Sequence, residues 1–348
     1  MGNPMKAGET GELGAGRIPF DRIPIVDIGP MFGSDRAAMG RTAQRLREVC
    51  QSIGFCYVVN HGVARERIER ALKQCKQFFA LPLAVKMACD IALQGGHRGY
   101  VPLGALTAGP DAELPDLQEG YEVRLELPAD DPDYLGGSKI YGPNLWPENL
   151  PGFREDVYAY FESILGLGHV LFRTFALALG LPDDFFEDKI DKPMAQLRLI
   201  YYPPQERVID PNTIGVGTHT DYECFTILWQ GAPGLQVRTP QGDWIEAPPI
   251  ADSFVVNMGD MIQRWTNDQF ISTPHRVINT TGLARYSLPF FFGANYDTVV
   301  EPLPCCVGPE NPPRYPPTKC GIWTETMHTL AYVYRWPDRG KLPDPEMR

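Results

Sequence analysis

The spacing of hydrophobic and polar positions predicts three helices in the first half of the chain. Apolar residues recur at intervals of three and four over 36–52 and again over 64–79, which places them on one face of a helix. The longest pattern of this kind covers 152–180 and ends at Gly180-Leu181-Pro182, a sequence that stops helices. Each of these helices would have an apolar face to bury against a core.

Shorter apolar runs with a different period predict β-strands. IPIVDIGP at 23–30 and GFCYVVNHG at 54–62 are rich in β-branched residues. Between 196 and 300, runs of the same kind follow one another at close intervals and are separated by turn residues; they are LRLIYY, FTILWQ, LQVRT, FVVNMGD and YSLPFFF. Such a succession is typical of a sandwich or barrel. By contrast, 91–150 has little periodicity and many Gly, Pro and Asp residues, so we expect loops there.

These patterns predict one domain, mainly β, with helices packed outside a β-core. Residues 1–20 are rich in Gly and lack periodicity, and we expect a disordered tail there. The domain would then span 21–348. Within it we expect helices and strands over 21–190, the β-core over about 191–300 and a C-terminal helix over about 318–335.

Composition restricts the partners of the chain. Its 348 residues carry a formal net charge of −11 without a cluster of Lys or Arg, which argues against binding to nucleic acid or an anionic membrane. The longest apolar stretch, around 164–181, contains His169 and Arg173, and we expect it to be too short to span a bilayer. Eight cysteines without a C-x-x-C pair suit reduced thiols in the cytosol. We therefore expect a cytoplasmic protein with a small-molecule partner and an undefined oligomeric state.

Two of the six histidines belong to a pattern with metal-binding chemistry. His219 and Asp221 are two residues apart in a predicted strand, so their side chains would point to the same face. His275 lies on a separate segment, STPHRVIN. Two imidazoles and one carboxylate leave three positions on a metal open, which is the arrangement of non-haem iron(II) oxygenases. His-x-Asp by itself is more often a surface turn, so the interpretation needs a second feature.

The second feature is Arg285-x-Ser287, which follows His275 and again has strand spacing. A guanidinium gives a two-pronged, charge-assisted contact to a carboxylate, and a hydroxyl on the same face adds a donor. Each residue alone has an ordinary explanation, a surface ion pair for Arg285 and a sheet-edge hydroxyl for Ser287. Together with the histidines, in this order within the β-rich half, they predict a metal with a carboxylate receptor beside it.

With these features the chain resembles the isopenicillin N synthase-like family of iron(II)/2-oxoglutarate-dependent dioxygenases. The resemblance covers about 23–300 and is carried, in the family's order, by IPIVDIGP, GFCYVVNHGV, FFALPLAVK, RGYVP, YYPP, GTHTDYECFTILWQ, PGLQV, FVVNMGDMIQRWTN, STPHRVIN and RYSLPFFFGAN. It implies that the β-core is a double-stranded β-helix, or jelly roll, with helices before it and a helix after it.

The resemblance also implies roles for individual residues. The positions that match the family's iron ligands are His219, Asp221 and His275. The positions that match the residues holding the distal carboxylate of 2-oxoglutarate are Arg285, Ser287 and Tyr202. Two residues before this Tyr, many relatives carry an Asn that helps to hold the proximal carboxylate. Here that position is Ile200, which leaves the site drier.

The substrate side is less defined. Arg198 shares strand parity with Tyr202 and could meet an anionic group of the substrate, although a solvated surface Arg explains it equally well. Phe291 continues the parity of the Arg-x-Ser pair, and Tyr222 follows an iron-ligand position. Ordinary core packing is the alternative for both aromatic residues. We include Ile200 among the candidate substrate contacts.

The resemblance implies iron(II) as the metal, with 2-oxoglutarate and O₂ as cosubstrates. The family oxidises a carbon–hydrogen bond of a small molecule while 2-oxoglutarate becomes succinate and CO₂, and the outcome is hydroxylation, desaturation or ring closure. FFALPLAVK and HTDYECFTILWQ are similar to sequences of microbial oxygenases in natural-product pathways. Two alternatives stay open: an iron-dependent oxidase or cyclase of the same fold that does not use 2-oxoglutarate, and a non-catalytic small-molecule receptor.

Overall fold

A computed structural model describes residues 22–93, 96–107, 116–138, 140–204, 215–279, 281–332 and 335. The tail expected over 1–20 lies outside the described residues. A large apolar cluster contains buried side chains from Ile23 to Trp323, so the N-terminal helices and the β-strands contribute to a common core.

The three long predicted helices are confirmed. The helices of the described residues are α1 (Arg36–Ser52), α2 (Arg65–Phe79), α3 (Leu83–Met87), α4 (Pro132–Leu135), α5 (Phe153–Ala178), α6 (Asp260–Trp265) and α7 (Cys320–Ala331). The carboxylate of Asp35 caps α1 by accepting hydrogen bonds from the backbone N–H groups of Ala37 and Ala38, at 2.9 and 3.1 Å. The C-terminal helix α7 is shorter than the predicted 318–335. It begins at Cys320, because Thr318–Lys319 forms a strand, and it ends at Ala331.

Most of the chain's strands belong to two sheets. The strands of the described residues are β1 (Ile25–Asp27), β2 (Phe55–Val59), β3 (Gly99–Val101), β4 (Glu119–Arg124), β5 (Gln196–Tyr202), β6 (Val216–His219), β7 (Phe225–Gln230), β8 (Leu235–Arg238), β9 (Trp244–Glu246), β10 (Phe254–Met258), β11 (His275–Val277), β12 (Arg285–Phe292), β13 (Val299–Val300) and β14 (Thr318–Lys319). The larger sheet has the order β1-β2-β10-β7-β12-β5-β4-β3, and the smaller has the order β6-β11-β8-β9. The mainly β architecture with flanking helices is as predicted.

Strand register brings distant parts of the sequence together. In the larger sheet, β12 pairs with β5 and places Arg285 opposite Tyr202. In the smaller sheet, β11 pairs with β6 and places His275 opposite His219. Side chains of directly opposed residues are near neighbours. Both pairings therefore assemble residues that the sequence marked as functional.

The prediction of loops over 91–150 is wrong in part, because β3 and β4 lie there and extend the larger sheet. Within β4, Glu122 and Arg124 are buried, and both hydrogen-bond to Gln196 of β5. Alternation of apolar and polar residues reveals a half-buried strand. It does not reveal a strand whose polar side chains are buried against polar partners far away in the sequence.

Helix α5 is longer than its apolar stretch indicated. It has 26 residues and is long and apolar enough to cross a membrane by length and composition, so the expectation of a stretch too short to span is wrong. However, 56% of its most apolar window is buried inside the protein, and α5 packs against α1, α2 and β12. A core helix passes the same test, and this packing is that of a core helix.

Gly168 lets α5 approach β12 closely. A Cβ at this position would lie 2.2 Å from Cδ2 of Phe292, whose ring is held between Phe172 and Phe225. We expect Gly168→Ala to lower the free energy of unfolding by about 1–3 kcal/mol through overpacking. Gly166→Ala is the matched control, because nothing lies within 4 Å of its Cβ and alanine should stabilise the helix by about 0.5–1 kcal/mol. Urea unfolding measures both variants, and effects of the same sign would contradict this account.

Candidate active site

His219, Asp221 and His275 lie together where β6 ends and β11 begins. Nε2 of each histidine is 3.6 Å from Oδ1 of Asp221, and the two ring centroids are 4.3 Å apart. One donor atom from each residue lies within 4.8 Å of the other two. Asp221 stands just beyond β6, which ends at His219, so the predicted strand does not extend to this residue.

Backbone carbonyls orient the two imidazole rings. Nδ1 of His219 lies 2.8 Å from the carbonyl oxygen of Gly217, and Nδ1 of His275 lies 3.1 Å from that of Thr273. A carbonyl oxygen only accepts, so each ring carries a proton on Nδ1. The lone pair of Nε2 can then point at a metal, as histidine ligands in proteins do.

The carboxylate of Asp221 is held by its other oxygen. Oδ2 accepts hydrogen bonds from Thr226 Oγ1 at 2.5 Å and from Asn257 Nδ2 at 2.6 Å, which leaves Oδ1 between the imidazoles. Burial favours the neutral acid, but the neighbouring His275 and His219 outweigh it and hold the pKa of Asp221 below its usual value. The group is a carboxylate at neutral pH, which is the form that binds a metal.

The donor set fits a divalent transition metal. Burial, and then the nearby His219, lowers the pKa of His275 to about 4, so this ring is a neutral ligand at pH 7. Although burial opposes it, Asp221 raises the pKa of His219, so this point of the site favours a positive charge. A metal cation can supply that charge in place of the proton. Two imidazoles and one carboxylate are the donors that non-haem iron(II) oxygenases use.

Arg285 is a buried cation without a carboxylate partner among the described residues. It is 1% exposed, and its donors reach neutral acceptors: the backbone carbonyls of residues 232 and 233, Gln230 Oε1 at 3.3 Å and Ser287 Oγ at 3.4 Å. Its guanidinium carbon lies 4.6 Å from the ring centroid of Tyr202. A buried charge is costly unless an opposite charge pairs with it. The arrangement therefore suits an anionic ligand.

Both of these groups line one cavity. Strands from the larger and the smaller sheet contribute its walls, so it lies between the sheets. Every site residue predicted from the sequence lines it: His219, Asp221, His275, Arg285, Ser287, Tyr202, Arg198, Tyr222, Phe291 and Ile200. Apolar side chains complete the wall, among them Val216, Leu228, Leu235 and Val277.

Arg198 lines the cavity but has a carboxylate partner within the chain. Its Nε and Nη2 lie 3.1 and 3.0 Å from Glu122 Oε1, and Nη2 also donates to the hydroxyl of Tyr332 at 2.7 Å. Tyr332 donates in turn to Glu122, and Gln196 donates to its second oxygen at 2.6 Å. The anionic partner that the sequence suggested in the substrate is thus present in the protein itself.

The polar residues that line the cavity and that sequence reasoning missed include Asp116, Glu223 and His328. Asp116 belongs to the weakly periodic 91–150 stretch, and His328 is a lone histidine of α7, so neither carried a local signal. Glu223 had one, because it lies in HTDYECF only two residues after Asp221. Burial, and then the charge of Asp221, raises the pKa of Glu223 to about 7.

Comparison with known families covers both halves of the chain. Residues 23–149 match the family described as non-haem dioxygenase in morphine synthesis N-terminal, and residues 193–294 match the 2OG-Fe(II) oxygenase superfamily. The chain is 39% identical to the 2-oxoglutarate-Fe(II) type oxidoreductase hxnY of Emericella nidulans, over 89% of each protein. It is 38% identical to the 2-oxoglutarate-dependent dioxygenase tropC of Talaromyces stipitatus, over 81% of this chain and 89% of that protein.

Solved structures show the same fold. A Neurospora crassa protein crystallised with alpha-KG and thymine superposes with a TM-score of 0.78 and 28% identity, over 88% of this chain and 96% of that one. A 2OG-Fe(II) oxygenase family protein of Caulobacter crescentus has a TM-score of 0.76 and 32% identity, over 87% and 97%. The predicted jelly roll is confirmed, and the chain belongs to the 2OG-Fe(II) oxygenase superfamily. It is a 2-oxoglutarate-dependent dioxygenase with iron(II) as its metal and O₂ as a cosubstrate.

Proposed function

We propose that the cavity between the sheets is the active site and that iron(II) binds to His219, Asp221 and His275. The distal carboxylate of 2-oxoglutarate is held by Arg285, Ser287 and Tyr202. The observation that carries this proposal is the buried guanidinium of Arg285, which shares the cavity with the metal-binding triad and has no carboxylate partner in the described residues. A dicarboxylate that reaches from the metal to Arg285 would bind the metal at one end and pair with the guanidinium at the other.

The protein positions the cosubstrate and excludes water from the site of the reaction. When bound, iron(II) activates O₂, and the oxidation of 2-oxoglutarate to succinate and CO₂ is coupled to oxidation of a substrate carbon–hydrogen bond. Arg285 presents a planar fork that its contacts to Gln230 and to two backbone carbonyls hold in place. Apolar walls such as Leu228 and Val277 exclude water from the carboxylate contact, which strengthens it.

We place the organic substrate against Arg198, Tyr222, Phe291 and Ile200. The guanidinium carbon of Arg198 lies 5.4 Å from the ring centroid of Phe291, so these two side chains form one wall of the cavity. The substrate is a small organic molecule of natural-product biosynthesis, and the outcome is hydroxylation, desaturation or ring closure. The fungal relatives support natural-product biosynthesis, and the thymine bound to the Neurospora crassa protein supports a small organic substrate.

Substrate-dependent release of succinate tests the proposal. The purified chain, reconstituted with iron(II), is incubated with 2-oxoglutarate, O₂ and a panel of small microbial metabolites. We expect succinate to form in proportion to an oxidised product and to stop when 2-oxoglutarate is omitted. Oxidation that continues without 2-oxoglutarate would contradict the proposal and support the iron-dependent oxidase or cyclase.

Ile200 gives a test of how the cosubstrate lies in the site. It faces the cavity from β5, opposite Ser287 of β12, so a polar side chain there does not enter the packed core. We expect Ile200→Asn to fold normally and to bind 2-oxoglutarate more tightly by about 0.5–1.5 kcal/mol, or roughly two- to tenfold, through one added hydrogen bond. Anaerobic titration with iron(II) measures this, and Ile200→Val is the apolar control. Equal affinity in both variants would show that residue 200 does not contact the cosubstrate.

A further inference from the structure

Glu223 is a buried carboxylate to which no side chain of the described residues donates a hydrogen bond. It is 5% exposed, and its side chain lines the cavity beside the metal-binding triad. Nε2 of His328 lies 3.7 Å from Glu223 Oε1, beyond hydrogen-bond distance. In the part of the chain that the structure describes, the backbone N–H of Glu223 itself contacts this carboxylate, and no other side chain lies within hydrogen-bond distance of it.

Glu122 of strand β4 shows how the hydrogen-bonding capacity of a buried carboxylate is satisfied in this fold. Both of its oxygens accept hydrogen bonds, and the donors are Gln196, Arg198 and Tyr332. A buried polar group that lacks such partners destabilises the folded state. Because Glu223 lines the cavity, a ligand in the cavity can supply a further donor.

The other charges of the cavity favour a nitrogenous ligand. Asp116 adds a second carboxylate to the wall, and the charge of Arg198 is already neutralised by Glu122. Nδ1 of His328 is buried and has no hydrogen-bond partner in the described residues. Burial, and then a nearby arginine, lowers the pKa of His328, so this ring adds no positive charge. An anionic substrate would therefore meet carboxylates and no available cation besides Arg285.

We propose that Glu223 accepts a hydrogen bond from an ammonium group of the substrate, and that the enzyme acts on small amines. This inference rests on the proposed function, which assigns Arg285 to 2-oxoglutarate and leaves Glu223 to the substrate. An ammonium group gives the charge-assisted contact that the carboxylate lacks. The aromatic rings of Tyr222 and Phe291, which line the same cavity, suit a flat or cationic group.

Three matched indole compounds test this preference: tryptamine as the cation, tryptophol as the neutral analogue and indole-3-acetate as the anion. Binding to the protein loaded anaerobically with iron(II) and 2-oxoglutarate is measured by calorimetry. We expect tryptamine to bind at least about tenfold more tightly than tryptophol, as for a charged hydrogen bond, and indole-3-acetate to bind most weakly. In Glu223→Gln the advantage of tryptamine should fall to within about twofold. Glu301→Gln, at an exposed position outside the cavity, should keep it.

Several results would overturn the inference. They are equal binding of the three compounds by the wild-type protein, a preference for the carboxylate, no binding of tryptamine at millimolar concentration, or an unchanged preference in Glu223→Gln. The comparison of the three compounds with the wild-type protein tests the inference even if Glu223→Gln does not fold. Titration of 2-oxoglutarate alone is the separate control: its failure to bind contradicts the proposed function, whereas its binding without a tryptamine preference contradicts this inference alone.

Discussion

Asp221→Ala should abolish iron binding and turnover while the fold persists. The substitution removes the carboxylate whose Oδ1 lies 3.6 Å from both histidine Nε2 atoms. We expect iron affinity to fall by more than the roughly ten- to hundredfold that follows loss of a supporting hydrogen bond, because a ligand and its negative charge both disappear. Iron content after anaerobic reconstitution, together with succinate formation, measures the effect. Circular dichroism checks the fold.

Thr226→Val is the matched control for this result. It removes a hydrogen bond to Oδ2 of Asp221 and keeps the three donor atoms, so iron affinity should fall by only about tenfold. The proposed triad would be wrong if Asp221→Ala retained one iron per chain with turnover like that of the wild type.

Arg285→Lys should weaken 2-oxoglutarate binding by about 1.5–3 kcal/mol, or roughly ten- to a hundredfold. Lysine keeps the positive charge but has neither the planar fork for a bidentate carboxylate contact nor a flat face to stack on Tyr202. The contacts that now hold the guanidinium, to Gln230 and Ser287, cannot all be made by an ammonium group. Anaerobic titration with iron(II) present gives the affinity directly.

Arg276→Lys provides a control of the same chemistry outside the cavity. Arg276 also stacks on an aromatic ring, Trp244, and hydrogen-bonds to Gln236, but it does not line the cavity. The substitution should leave 2-oxoglutarate affinity unchanged. If Arg285→Lys also left it unchanged and instead weakened binding of the organic substrate, Arg285 would be a substrate anchor, as in the oxidase alternative.

Local patterns were sufficient for the three long helices and most strands of the core, and they predicted the residues of the proposed metal and cosubstrate sites. The helix over 36–52 was readable because burial of one helix face imposes a period on neighbouring residues. The Arg285-x-Ser287 pair was readable because strand geometry turns alternate side chains to one face. Asp221 shows the limit of this reasoning: it lies at the predicted place although β6 ends at His219, two residues before it.

The sequence by itself therefore determined the class of the protein and predicted its reactive residues, since both depend on residue types at short spacing. The tertiary structure decided which polar groups are paired. Strand β4 was hidden because its buried Glu122 finds partners on β5 and at Tyr332, and the same pairing takes up the charge of Arg198. For the same reason, no side chain of the described residues donates a hydrogen bond to Glu223. The burial and pairing of a charged side chain depend on residues distant in the chain, which no local period records.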